Sequence, residues 1–270
     1  MRVALPGETA RAAVVEALVA AGAAAVQEGD GELVTHLTGD TDFAALAAAV
    51  RAAGGGALDR TLLPDADWAV TWRTRVSVQR LGRVAIAPPW LADEIGDAEC
   101  AVLIEPAMAF GTGEHETTRS MVTLMQDVVA PGQTVADLGA GSAVLAIAAA
   151  KLGARRAIAI ELDPDAMGNA DENVARNGVS DRVTLIRGDA AVLLPLIAPV
   201  HVILANIISS VLVELSPAMR RALAPGGRAV LSGILAGERE LVAAALAGDR
   251  WTIERELIEG EWWSCVIAPR

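Results

Sequence analysis

The sequence predicts an α/β protein: a doubly wound, Rossmann-like domain with a mostly parallel sheet, preceded by a small α+β ferredoxin-like domain. Three observations predict it. From about residue 97, apolar strand-like runs alternate with helical stretches, the pattern of a parallel sheet covered on both faces. The first sixty residues read instead as β-α-β-β-α-β, the split βαβ order of a ferredoxin-like module. Between them PDADWAVTWRTRVSVQRLGRVAIAPPW fits neither pattern, so the chain divides into residues 1–60, a connecting segment 61–95 and a domain 96–270.

In the small domain RVALP is a short strand, and ETARAAVVEALVAAG has helical spacing and stops at Gly22. AAAVQEG and ELVTHLTG are strands joined by the turn signal GDG. TDFAALAAAVRAAGGG is a second helix, capped by Thr41 or Asp42 and ended by three glycines, and LDRTLL is the last strand. In the connector Trp68 and Trp72 lie one helical turn apart and would pin it to a neighbouring domain, while Pro88 and Pro89 bound the short strand VAIA.

In the large domain TVADL, RAIAIEL, VTLIRG, VHVILAN and GRAVLSGIL read as strands. VLAIAAAKLG, DAMGNADENVARNG and SSVLVELSPAMRRALAPGG read as helices, another helical pattern follows the loop AFGTGEHETTR, and WTIERELIEGEWWSCVIAP closes as a hairpin-like pair.

Hydrophobic residues make up 53% of the 270 and charged residues 21%, enough to bury a large core and a smaller one. With 34 acidic against 22 basic side chains the formal charge is −12. A phosphate-backbone binder carries a basic face, so direct nucleic-acid contact is not expected, whereas a basic protein substrate suits this field. Cys100 and Cys265 stand far apart with no CxxC spacing, which argues for two reduced thiols in the cytoplasm rather than zinc or a disulfide. Pro6 and Glu8 fall where a signal peptide needs its apolar run, so no secretory signal is expected. No run reaches about 18 charge-free apolar residues, and no membrane span is expected.

The chemistry concentrates at strand ends. Asp137-Leu-Gly139-Ala-Gly141-Ser-Ala143 follows a strand and opens a helix, a glycine turn that lets the backbone approach a ligand. A nicotinamide enzyme uses a similar turn, but Val144 occupies the place of the third glycine, and Asp137 would repel a pyrophosphate and welcome a cation. Glu161 lies 161 − 139 = 22 residues past the first glycine, at the tip of the next strand, where an acid accepts bonds from ribose hydroxyls. A nucleoside with a cationic tail and no phosphate is the implied ligand, and S-adenosylmethionine fits it. Asp163 caps the next helix, with a second ribose role open; Asp189 approaches the adenine or sits in a solvated turn. Asn206 ends a buried strand, where its carbonyl can accept a bond from a neutral substrate amine. His115 has no second ligand at useful spacing, so no metal is expected.

Together these segments resemble the ribosomal protein methyltransferase family that modifies large-subunit ribosomal protein eleven, the L-eleven methyltransferases. The resemblance is carried by DWAVTWRTRVSV, EPAMAFGTGEHETTR, DLGAGSAVLAIAAAKLGA, ELDPDAMGNADENVARNGV, ANI, LAPGGRAVLSGIL and EGEWW, from about residue 65 to the end. It implies a class I S-adenosylmethionine-dependent methyltransferase domain, with residues 1–60 as a substrate reader. It implies that the FGTG loop lies over the cofactor, with Thr118 contacting it alongside Gly139, Glu161 and Asn206. Phe110 and His115 then lie near the cofactor and the incoming amine, His115 as a general base or as a residue that orders the loop. Ala143 departs from the family's usual third glycine, and His201 from an aspartate common in relatives.

The implied reaction is methylation of lysine ε-amines or an α-amine on ribosomal protein eleven. Relatives that share the loop methylate another protein, such as an electron-transfer flavoprotein subunit. A small-molecule methyltransferase and a non-catalytic binding protein remain as alternatives, the latter disfavoured by intact Asp137, Glu161 and Asn206.

Overall fold

The computed structural model describes residues 2–4, 10–23, 26–29, 31–35, 37, 41–60, 76–107 and 110–270. The chain divides into two compact units, residues 1–72 and 73–270.

The small unit runs β1 (Arg2–Ala4), α1 (Arg11–Ala20), β2 (Val26–Gly29), β3 (Glu32–Thr35), α2 (Phe43–Ala52) and β4 (Leu58–Asp59). Its strands lie in the order β2-β3-β1-β4, all antiparallel, as a ferredoxin-like module requires. Val3, Val14, Leu18, Leu33, Leu46 and Val50 form its core, so both helices pack on one face of the sheet. Asp42 resolves the cap of α2, its carboxylate accepting the Ala44 and Ala45 amides at 3.0 Å. Of LDRTLL only Leu58–Asp59 is a described strand; the remainder, with Trp68 and Trp72, lies outside the described residues.

The large unit begins with β5 (Gln79–Leu81), β6 (Val84–Ala87) and β7 (Cys100–Leu103), a three-stranded sheet in that order. The strand expected at VAIA is therefore β6, and residues 79–81, read from the sequence as connector without a strand, pair with it as β5. The reason is two-sided burial: Val84 and Ile86 join one core with Val102 and Ile104, while Ala85 and Ala87 pack with Ile95 on the other face.

There follow α3 (Glu116–Met125), β8 (Thr134–Leu138), α4 (Val144–Lys151), β9 (Arg156–Glu161), α5 (Pro164–Arg176), β10 (Val183–Arg187) and α6 (Ala190–Ile197). Then come β11 (Val200–Asn206), α7 (Ser209–Ala222), β12 (Leu223–Leu235), α8 (Arg239–Gly248), β13 (Trp251–Glu259) and β14 (Trp262–Pro269). Seven strands form one sheet, β10-β9-β8-β11-β12-β14-β13, parallel except where β14 runs against both neighbours. The period of two along each central strand explains the layers. On β8, β9 and β11 the residues Val135, Ala157, Ala159, Val202 and Leu204 face α3, α4 and α5; Ala136, Ile158, Ile160, Ile203 and Ala205 face α6, α7 and α8. The chain order reverses between β8 and β11, which opens a crevice outside their carboxyl ends.

Three differences from the sequence reading have local causes. The helix predicted through LAPGG stops at Ala222, because a residue before proline avoids helical angles and Leu223 already pairs with Val200. The helix α6 was hidden by Pro195 inside an apolar run, and α8 by its short apolar stripe, of which only Val242 and Leu246 are buried.

Ala143, at the N-cap of α4, is fully buried with φ +64° and ψ 19°. An L-residue with a Cβ is strained there by about 1 kcal/mol or more. Ala143→Gly is expected to raise the melting temperature by about 2–4 °C; an unchanged or lowered value in a thermal melt would show that the buried methyl contributes more than the strain costs.

Candidate active site

Three strand ends converge at the switch point. The turn after β8 holds Gly139 at φ +68° and Gly141 at φ +52°, both left-handed. Both positions are crowded: a Cβ on Gly139 would lie 2.5 Å from Ile207 Cγ2, a side-chain methyl that would have to shift, and one on Gly141 would lie 2.6 Å from the Phe110 carbonyl oxygen, which is backbone. The turn is thus packed between the residue after Asn206 and the FGTG loop.

Two carboxylates brace it. Glu161, at the tip of β9, accepts the Gly141 amide at 2.7 Å through Oε2 and the Asp163 amide at 2.8 Å through Oε1. Asp137 is fully buried; Oδ2 accepts the Ala146 amide at 3.0 Å, and Oδ1 has no partner among the described residues. Burial pushes its carboxyl up to about 7, against the Ala146 hydrogen bond, with the nearby Glu161 charge adding to the rise. Asp163 and Asp189 each cap a helix, accepting the Asp165 amide at 2.9 Å and the Ala191 amide at 2.8 Å.

The FGTG loop is latched to the turn. Ser142 donates its amide to the Phe110 carbonyl at 2.9 Å and its hydroxyl to the Gly111 carbonyl at 2.7 Å. The base of the loop is held by one face of α5. Asn169, Asn173 and Asn177, at successive i+4 positions, bond the backbone of Leu103 and Glu105, and Asn173 also donates to the Ser142 carbonyl at 3.3 Å.

His115 caps α3 with extended angles, φ −71° and ψ 141°. Its ring stands edge-on between Phe110, 5.0 Å away, and Trp262, 5.2 Å away. Its Nδ1 lies 2.8 Å from the Thr117 hydroxyl, which lies 3.2 Å from Asn206 Nδ2. Thr118 is fully buried, its hydroxyl without a partner among the described residues. At the other side of α3, Glu259 accepts from Arg119 Nε at 2.7 Å and the Ser120 hydroxyl at 3.1 Å, docking the helix on the β13–β14 hairpin.

The structure therefore brings Asp137, Gly139, Gly141 and Glu161 together at one turn, lays Phe110 against it, and links His115 to Asn206. Asp137 does more than the sequence reading gave it, because it also holds the start of α4. The sequence reading missed Thr117, Ser142, Asn173 and Glu259; the four-residue spacing of the three asparagines was a readable signal. His201 Nδ1 accepts the Thr134 amide at 3.1 Å, a role in the sheet. Among the described residues no group of three metal-ligating side chains forms, and no helix is long and apolar enough to cross a membrane. Both cysteines are buried and free, and burial pushes both thiols up.

Comparison with known proteins identifies the family. A family model described as Ribosomal protein L11 methyltransferase (PrmA) matches residues 10–270. Two relatives named Ribosomal protein L11 methyltransferase are similar: one from Chloroflexus aurantiacus, 40% identical over 63% of this chain, and one from Heliobacterium modesticaldum, 37% identical over 78%. The matched stretch spans 59% of the first relative's length and 66% of the second's. The crystal structure of a ribosomal protein L11 methylase from Lactobacillus delbrueckii subsp. bulgaricus superposes with a TM-score of 0.64 at 31% identity, over 72% of this chain and 98% of that one.

Proposed function

We propose, from the premise that this chain belongs to the ribosomal protein L11 methyltransferase family, that it is an S-adenosylmethionine-dependent protein N-methyltransferase acting on amines of ribosomal protein L11. The observation that carries the reading is the convergence of a tightly packed glycine turn, two acids and Asn206 at one switch point.

The residues present fit the cofactor. Asp137 keeps a buried acceptor without a partner among the described residues, just before a turn crowded at both of its glycines, which suits a cationic ligand. Gly139, Gly141, Glu161, Asp137, Thr118, Phe110 and Asn206 would hold it. When bound, S-adenosylmethionine supplies a methyl group already activated on a sulfonium. The protein's task is position and the exclusion of water. The rings of Phe110, His115 and Trp262 give the amine an apolar approach. A lysine amine, with a reference pKa of about 10.4, is roughly one part in 10³ neutral at pH 7, and desolvation beside a cation raises that fraction. Asn206 Oδ1 accepts an N–H of the neutral amine and so aims its lone pair.

In this reading residues 1–60 recognise the protein substrate, and the acidic surface favours a basic one in the cytoplasm without direct nucleic-acid or membrane contact. The test is transfer of labelled methyl from S-adenosylmethionine to purified ribosomal protein L11, with free lysine as a second acceptor and intact-mass readout. Transfer to the protein alone supports the reading. Cofactor binding without transfer to L11 points to another protein substrate, and absence of cofactor binding overturns the proposal.

A further inference from the structure

We propose that Thr117 is the positioning residue of this site: its hydroxyl, set between His115 Nδ1 and Asn206 Nδ2, fixes the imidazole in one tautomer and turns the Asn206 carbonyl oxygen toward the amine. The inference rests on the reading of Asn206 as the residue that meets the amine.

One assignment satisfies all three contacts of this network. The Thr117 amide donates to His115 Nδ1 at 3.3 Å, so Nδ1 carries a lone pair and the ring proton is on Nε2. The Thr117 hydroxyl, 2.8 Å from the same nitrogen, must then donate its one proton there. With that proton engaged, Oγ1 meets the Asn206 amide at 3.2 Å as an acceptor, and only the NH2 group can donate to it. The NH2 group therefore faces Thr117 and Oδ1 faces away, taking no hydrogen bond among the described residues. The amide's orientation follows from the count of donors and acceptors around it.

The surroundings keep the network in place. Thr117 is 1% exposed, so water does not compete for its hydroxyl. The imidazole is held as the cap of α3 and wedged between Phe110 and Trp262, which resists a ring flip. Without the hydroxyl, Asn206 can present either end of its amide to the amine. An NH2 group there opposes the N–H of a neutral amine and offers it no acceptor.

Thr117→Val keeps the shape and removes the hydroxyl; Thr117→Ser keeps the hydroxyl. In the full-length protein Thr117→Val is expected to lower kcat about tenfold with KM for S-adenosylmethionine within about twofold, and Thr117→Ser to recover kcat to within about threefold. The three histidines make ¹⁵N spectra simple to assign: wild-type His115 should show an unprotonated Nδ1, and the valine variant a mixture of tautomers. Wild-type kcat in Thr117→Val, no rescue by serine, or a proton on Nδ1 of wild-type His115 would each overturn the inference. If the wild type transfers no methyl group, the proposed function fails, while the tautomer spectrum still decides the assignment of the network.

Discussion

Asn206→Ala is expected to lower the rate of methyl transfer by about 10²- to 10³-fold, the largest single effect in this site, with S-adenosylmethionine affinity changed by less than about tenfold. The difference between the two numbers follows from what the residue touches. Asn206 is the last residue of β11, and its amide is oriented by Thr117 rather than by the glycine turn. Truncation to alanine removes the acceptor that aims the amine and leaves the turn, Glu161 and Asp137 in place. Single-turnover transfer and calorimetric cofactor binding on the same preparation separate the two. A variant that loses cofactor affinity in proportion to rate would make Asn206 a cofactor ligand only, and the amine would need another acceptor.

The residues that proved legible in the sequence are those whose position follows from the parallel-sheet rule. Asp137, Glu161 and Asn206 end adjacent strands, and a doubly wound sheet brings strand ends together whatever the loops do. Apolar periodicity was enough to place β8, β9, β10 and β11 and the helices α4 and α5. What escaped depends on partners distant in the chain. VAIA reads as a strand and is β6, but its neighbours β5 and β7 escape, because β7 lies beyond a turn carrying two prolines and short strands declare themselves only through such pairing. Thr117 and Thr118 are adjacent on one helix, about 100° apart around its axis, and sequence does not tell which of them faces Asn206. The resemblance singled out Thr118 for the cofactor, while the link to Asn206 runs through Thr117. Asp137 shows the opposite case. Its place before the first glycine was readable, but its bond to the start of α4, across the turn, was not.

Gly141→Ala is expected to weaken S-adenosylmethionine binding by about 10²-fold, close to 2.7 kcal/mol. The backbone there has φ +52°, and an added methyl would stand 2.6 Å from the Phe110 carbonyl oxygen. That oxygen is backbone and already accepts the Ser142 amide at 2.9 Å, so it cannot yield like the end of a flexible side chain. The alanine must push the turn and the FGTG loop apart, stretching the bond from the Gly141 amide to Glu161 as it does so. Gly178 supplies the control: its φ is +64°, and nothing lies within 4 Å of its missing Cβ. Gly178→Ala should cost about 1 kcal/mol of stability for the left-handed backbone and leave cofactor affinity unchanged. Calorimetry and thermal melts on the pair separate backbone strain from steric exclusion. Equal losses of affinity in both variants would mean that strain alone propagates to the site; a loss confined to Gly141→Ala would mean that the cofactor cradle depends on the contact between two backbones.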